Sequence, residues 1–326
     1  MKRKKRLVNM SVPYKTALIG LGKMGMQNAK DAKLAKYYKY RSHIEALNDH
    51  PDFDCGAMFD SNPEIKGQEF TSLEQIAIEY DPQILVLATP PKGRIEDIKS
   101  FSNLRAIIME KPVAYDFNQA LEIVDYCAEN NILLQVNYWR RFDSTVIDLK
   151  ANIDEIIGKP QVIFMTYGNG VRNNGVHLID QIRYLFGDIV SAKALGQGQG
   201  SASFPIDGDI NIDFSLELAS GAVAYAHALD FTQYREVGLD IWGSKGRVEF
   251  IQGGLVMRSS TMANHRALDG VKEMSSDKAA ISKTGAGEAL YGLYDNLSKA
   301  IRAEQELLSS GKSALKNEQI LDMILS

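Results

Sequence analysis

The chain has 326 residues, 45% apolar and 24% charged, enough to bury two ordinary cores, and its formal charge of −4 gives no footprint for nucleic acid or an acidic polymer. Two cysteines, Cys55 and Cys127, cannot build a disulfide framework or a CxxC metal site, which fits a reducing cytoplasm. No run of ~18 apolar residues is present to span a membrane.

Residues 1–15, opening with "MKRKKR", read as a disordered basic tail rather than a secretory segment. "TALIGLGKMG" follows, a buried strand running into Gly20-x-Gly22-x-x-Gly25, with Lys23 and Met24 inside the turn. Gly20 permits the tight turn, Gly22 lets the backbone approach a pyrophosphate, and Gly25 lets helix and strand pack closely. The phosphate charge then meets the free N–H groups of the following helix. The bland alternative is a plain strand-to-helix turn.

"MQNAKDAKLAKYYKYRSH" comes next and is longer than this motif needs. Lys30, Lys33, Lys36 and Lys39 suit a solvated helix face, while Tyr37, Tyr38, Tyr40 and Arg41 could form a lid over cofactor or substrate. The second strand, "DCGAMFD", ends at Asp60. A carboxylate there accepts hydrogen bonds from an adenosine ribose and repels a 2′-phosphate, which favours NAD over NADP. Against this stand a turn role before "SNPE" and a spacing of 35 residues from Gly25, beyond the usual ~20 from the glycine motif.

Further strands, "QILVLAT", "AIIMEK" and "ILLQVNY", alternate with the helical stretches "SLEQIAIEY", "KGRIEDIKSF" and "FNQALEIVDYCAEN". Ser72 with Gln75, and Asp116 with Gln119, are spaced as helix-start caps. This alternation predicts a doubly wound parallel sheet, a Rossmann domain over 16–138. "MEKPVA" sets Lys111 at the carboxyl end of a central strand, where open α/β sheets hold ligands. Away from water and beside a cationic nicotinamide, Lys111 would serve as acid or base; a surface lysine paired to Glu110 is the alternative.

After Tyr138 the texture changes, marking a second, α+β domain over 139–326. In "INIDFSLELA", Ile210, Ile212, Phe214, Leu216 and Leu218 face one way, and the intervening residues are mostly polar. "AVAYAHALDF", "VGLDIWG" and "RVEFI" continue an open-faced, mostly antiparallel meander, one face free for water or a partner subunit. "VHLIDQIRYLFG" and "EALYGLYDNLSKAIRAEQELL" are expected to cover the buried face, and 262–283 to be a polar loop.

"IGLGKMG", "ATPP", "MEKPVA", "VNYWRRF" and "GVHLIDQIRYLFG", in this order, resemble the Gfo/Idh/MocA family of NAD(P)-dependent oxidoreductases over about residues 16 to 320. The resemblance implies a substrate cleft between the two domains, with Lys111 contacting substrate and nicotinamide. It also implies that Thr89, Pro90 and Glu110 line the cofactor, that Tyr138 and Arg140 lie near the cleft, and that open sheets pair face to face as a homodimer or homotetramer. The family pattern GGxxxDxxxH ends at His177, but Asn173 stands where the acid is expected and Gly168-Asn169 replaces two glycines. Residues four apart share a helix face, so Asn173 could orient the imidazole; Asp180, three residues on, could restore an acid, or instead pair with Arg183. His43, His50, His227 and His265 are poor candidates, and no metal motif occurs.

The expected function is a cytoplasmic NAD-dependent oxidoreductase. It would act on a hydroxyl of a sugar, cyclitol or nucleotide-sugar, with Lys111 and His177 sharing the proton work. The alternatives are an NAD- and sugar-binding sensor without turnover and a cofactor-recycling elimination enzyme on the same fold.

Overall fold

A computed structural model describes residues 12–326. Residues 1–11, most of the expected tail, lie outside the described residues; Tyr14 and Lys15 already belong to the first strand.

Short β-branched and aliphatic runs form five parallel strands: β1 (Tyr14–Ile19), β2 (Phe53–Phe59), β3 (Ile84–Leu87), β4 (Ala106–Met109) and β5 (Leu133–Val136). They pair in the order β2-β1-β3-β4-β5. β3 and β4 are buried throughout, which is why they read as continuous apolar runs. β2 differs: it is an edge strand, and only Phe53 and Ala57 in it are buried. Helices α1 (His43–Asp49), α2 (Leu73–Gln75), α3 (Arg94–Lys99) and α4 (Phe117–Glu129) connect the strands. Both expected caps form, Gln75 N–H donating to Ser72 Oγ at 3.2 Å and Gln119 N–H to Asp116 Oδ1 at 2.9 Å.

Beyond Tyr138 come α5 (Ser144–Ala151), α6 (Ile153–Ile156), β6 (Pro160–Tyr167), α7 (Val176–Phe186) and β7 (Ile189–Ala194). The short β8 (Gln199–Gly200) and β9 (Ile210–Asn211) pair with each other, and β10 (Phe214–Leu218) and β11 (Val223–Ala228) form a hairpin around Ser220-Gly221. The expected single strand over 210–219 is therefore split. Tyr167 Oη bonds both the N–H and the carbonyl of Ile212, and Asp213 turns to His227. β12 (Gly238–Gly243), β13 (Gly246–Ile251) and β14 (Val256–Asn264) follow, then β15 (Lys272–Met274) and β16 (Ala280–Lys283) inside the stretch expected to be a loop. Both pair with β14.

The large sheet runs β15-β14-β13-β12-β6-β11-β10-β7. It is not a simple meander, because β6 inserts between β11 and β12 and runs parallel to β11. α7 covers its inner face as expected, but its companion there is the last helix, α9 (Gly311–Leu325), and not the segment that begins at Glu288. The preceding helix, α8 (Ala289–Ile301), instead packs on α1. Apolar packing is continuous from Leu87 and Met109 through Tyr138 to Ile163, Leu178 and Phe214, so the two sheets share one core. On the outer face Phe164 and Tyr225 stack, 47% and 43% exposed.

Candidate active site

The glycine turn keeps open the space a dinucleotide needs. Gly20 has φ +91°, and a Cβ there would meet Ala88 and Thr89 backbone atoms at 2.7–2.9 Å, so β1 and β3 approach as only glycine allows. A Cβ on Gly22 would meet nothing within 4 Å, which leaves its backbone accessible to a phosphate. The chain then departs from expectation. Instead of a long helix, a single turn ends in a 3-10 segment, Gln27–Lys30, and residues 26–42 loop outward. They return at α1, whose His43 and Ile44 N–H groups donate to the Met24 and Gly25 carbonyls at 2.8 and 3.1 Å. α1 thus resumes the interrupted helix. With residues 26–42 set aside, Asp60 stands 18 positions after Gly25, close to the usual ~20.

Asp60 does two jobs in the turn: its Oδ2 accepts from Leu21 N–H at 2.7 Å and its Oδ1 from Asn62 N–H at 2.9 Å. Beside it lies a cavity of about 260 Å³ whose lining includes Gln68, Glu69 and Phe70 and, among the described residues, no lysine or arginine. These residues fit a nicotinamide dinucleotide: an open glycine backbone and a carboxylate at the second strand end. Lys23 is exposed and Met24 half-buried at the same turn.

The ends of β3 and β4 are fixed by a residue without a sequence motif. Arg94, 2% exposed, donates to the carbonyls of Glu110 and Pro112 at 2.6 Å each, Val113 at 3.2 Å, and Thr89. One guanidinium therefore ties together Thr89-Pro90 and Glu110-Lys111-Pro112. The Lys111–Pro112 peptide is cis. Thr89 Oγ1 is buried with no partner among the described residues, and Pro90 is exposed beside it.

Glu110 does not pair with Lys111, so the alternative of a lysine paired to it does not hold. It accepts from Asn137 Nδ2 at 2.7 Å and His43 Nε2 at 3.1 Å, and His43 Nδ1 lies 2.8 Å from Tyr294 Oη. Burial works to raise the Glu110 carboxyl, but the His43 and Asn137 bonds and the Lys111 charge outweigh it and hold it below its ordinary value. An ionised carboxylate only accepts, so His43 donates to it through Nε2 and meets the Tyr294 hydroxyl through Nδ1. His43, set aside on sequence, is therefore part of the structure behind Lys111.

The Lys111 ammonium donates to the Asn173 carbonyl at 2.6 Å and to its Oδ1 at 3.0 Å. Burial lowers the lysine from 10.5 to about 8, against the opposing pull of Glu110 and Asp209. Asn173 does not orient His177, because Val171–Gly175 winds as a π turn and residues four apart in a wider turn no longer stack. That turn is held by Asp209, which accepts from the N–H groups of Arg172, Asn173 and Ile210 at 3.0, 2.9 and 2.9 Å.

His177 opens α7 and is 9% exposed; its Nδ1 has no partner among the described residues. Burial first, then the Lys111 and Arg140 charges, drive its pKa well below the ordinary value, so the ring is neutral. Tyr138 packs edge-on to it at 6.0 Å, 1% exposed. Asp180 restores no acid to His177 and does not pair with Arg183. Arg141 takes both its oxygens at 2.8 and 2.6 Å, and Asn317 adds a bond at 2.8 Å. Arg183 turns to Ser313 and Asn317.

His177 and Arg140 face a cavity of about 330 Å³, with Tyr38, Asn174 and Arg235 also on its walls. Tyr38 joins Tyr40, Arg41 and Trp139 around a neighbouring cavity of about 240 Å³, so part of the expected lid does lie over the cleft. Tyr37 points away, 63% exposed, and Lys30, Lys33, Lys36 and Lys39 are exposed. Sequence motifs found Lys111 and His177; Asp209, Arg94 and His43 reach them only through long-range folding and left no local signal.

The sequence matches two family profiles, "Oxidoreductase family, NAD-binding Rossmann fold" over residues 14–138 and "GFO/IDH/MocA C-terminal domain" over 159–249. Inositol 2-dehydrogenase of Mycolicibacterium smegmatis is 31% identical over 134 residues, a match covering 37% of this chain and 39% of that protein. Two solved structures share the fold, each at TM-score 0.71. One is the WlbA dehydrogenase of Bordetella pertussis in complex with NADH and UDP-GlcNAcA, at 19% identity over 97% of this chain and 95% of that one. The other is an oxidoreductase of Agrobacterium radiobacter in complex with NAD+, L-tartaric acid and magnesium, at 17% identity over 96% of both chains.

Proposed function

Because the chain belongs to the Gfo/Idh/MocA family of oxidoreductases and carries its NAD-binding Rossmann domain, we propose that it moves hydride between NAD and a hydroxyl-bearing carbon of a sugar, cyclitol or nucleotide-sugar. The observation that carries this reading is Lys111: a buried strand-end lysine, lowered to about 8, held by Asn173 and sharing the cleft with a neutral histidine. The match to an inositol 2-dehydrogenase supports a polyol, and the fold shared with WlbA supports a nucleotide-sugar.

Gly20, Gly22, Gly25, Asp60, Thr89, Pro90 and Glu110 would hold the dinucleotide, with Lys23 and Met24 at its turn. When bound, its nicotinamide supplies the hydride acceptor or donor. This chain's own residues manage the proton. In the oxidising direction Lys111, as a neutral amine, takes the hydroxyl proton as the carbonyl forms. The resulting ammonium is the species that the two Asn173 oxygens and the nearby Asp209 charge stabilise. His177, kept neutral, gives the substrate oxygen a hydrogen bond. Tyr138 holds the imidazole plane from behind, and Asp180 fixes Arg141 and α9.

The group that must be deprotonated for oxidation is Lys111, so oxidation should rise with pH and level off above about 8; carbonyl reduction, which needs the ammonium, should fall over the same range. The test is Lys111→Met. Retained folding and NADH binding with turnover reduced by about 10²-fold or more supports the role. A variant that unfolds far below wild type makes Lys111 structural and removes the site.

A further inference from the structure

The cavity facing His177 contains a cation with no direct ion-pair partner among the described residues, although Asp143 and Asp180 act on it from a distance. Arg140 is 8% exposed, yet among the described residues its side chain donates no hydrogen bond and forms no ion pair; its guanidinium lies over the Trp139 ring at 4.5 Å. The other deeply buried arginines are hydrogen-bonded: Arg94 to four carbonyls, with only its Nε lacking a partner among the described residues, Arg141 to Asp180 and a carbonyl, Arg183 to Asn317 and a carbonyl. A buried, unpaired guanidinium is expensive, and proteins rarely keep one without use. Arg235 lines the same cavity from the mouth of the loop 229–237, also without an ion pair among the described residues. Tyr38 reaches in from the 26–42 excursion, and no aspartate or glutamate lines the cavity among the described residues. All three groups line one space; burial raises the Tyr38 hydroxyl, and the Arg140 and Arg235 charges oppose that rise.

We propose that this cavity is an anion subsite, and that the substrate is a sugar carrying a negatively charged group, a carboxylate or a phosphate. Arg140 and Arg235 would clamp this group while Tyr38 donates a hydrogen bond to it. The inference rests on the oxidoreductase reading and narrows its substrate class. A neutral polyol in the same cavity would leave Arg140 desolvated and unpaired, whereas an oxyanion supplies the missing partner. The dinucleotide phosphates do not serve, since their cradle is the open backbone at Gly22.

The experiment titrates the full chain, saturated with NADH, with D-glucuronate, D-glucose 6-phosphate and D-glucose by calorimetry at low and high salt. One of the two anionic probes is expected to bind at least ~10-fold tighter than glucose, with a margin that shrinks as salt rises. Whichever probe does so tells carboxylate from phosphate. In Arg235→Gln and Arg140→Lys the margin should fall several-fold, more in the double variant, with NADH affinity unchanged. Arg235 is exposed, so its variant remains informative if the Arg140 variant fails to fold. Equal binding of glucose, no binding of any probe, or an anion preference that survives in both variants would overturn the subsite. The two readings fail separately. Turnover of a neutral polyol without anion preference keeps the oxidoreductase and discards the subsite. Arginine-dependent anion binding without nicotinamide chemistry on any sugar does the reverse.

Discussion

At the scale of residues, Asn173 takes from the Lys111–His177 pair a carboxylate that the family pattern supplies, and the fold returns one indirectly. Asp209 arrives from a loop 36 positions away, holds the Asn173 backbone and contributes negative potential at Lys111. Asp209→Asn keeps most of the geometry but removes the charge, so the Lys111 pKa drops further and the pH midpoint of oxidation moves to lower pH. A reduced rate with an unmoved midpoint would make Asp209 a scaffold only. Asp60→Ala tests the cofactor end. The ratio of NADPH to NADH affinity should rise by about tenfold, while a merely loosened turn would weaken both alike.

Glu318 on α9 presents a different balance. It is 1% exposed, neither oxygen has a hydrogen-bond partner among the described residues, and Arg172 stands 4.0 Å away. Burial pushes its carboxyl from 4.5 up to about 7. The native state therefore keeps a proton that the unfolded chain releases, and stability is lost as pH rises from about 4.5 through about 7. Glu318→Gln should be more stable than wild type at pH 8, by at most about 3 kcal/mol, and indistinguishable from it near pH 4. Denaturant melts at the two pH values decide; an equal or lower midpoint at pH 8 contradicts the burial account.

At the scale of elements, the excursion 26–42 shows where sequence reading stops. Its length was visible, but its return to Met24 and Gly25 through α1 was not, because backbone hydrogen bonds between distant turns carry no residue signature. The same holds for β6: its apolar face is ordinary, and only the tertiary fold decides that it enters the sheet between β11 and β12. Strands β1, β3 and β4, the caps at Ser72 and Asp116 and the α7 helix were legible because local periodicity and capping chemistry dictate them. The excursion is pinned by Gly287, whose carbonyl accepts from Lys39 and Tyr40 N–H at 3.0 and 3.2 Å; a Cβ there would lie 2.7 Å from the Tyr37 carbonyl. Gly287→Ala should speed amide exchange over 26–42 and raise KM for the sugar several-fold, with NADH affinity preserved. Unchanged exchange would mean that the excursion is held elsewhere.

At the scale of the molecule, two sheets share one core and leave a cleft between the carboxyl ends of β3 and β4 and the start of α7. The Rossmann half was readable down to the glycine turn and Lys111. The second half was readable as a class, but its strand order was not, since long-range pairing follows from packing rather than local pattern. The exposed Phe164–Tyr225 stack on the outer face is where we would look for a partner subunit.

The most direct measurement follows the near-ultraviolet absorbance of reduced nicotinamide on adding NAD with neutral and acidic sugars, cyclitols and nucleotide-sugars, for wild type and Lys111→Met. The account predicts reduction of NAD with at least one of these by wild type, rising with pH toward about 8 and abolished in the variant. Tight NADH binding with no turnover across the panel, or a Lys111→Met protein as active as wild type, would contradict it.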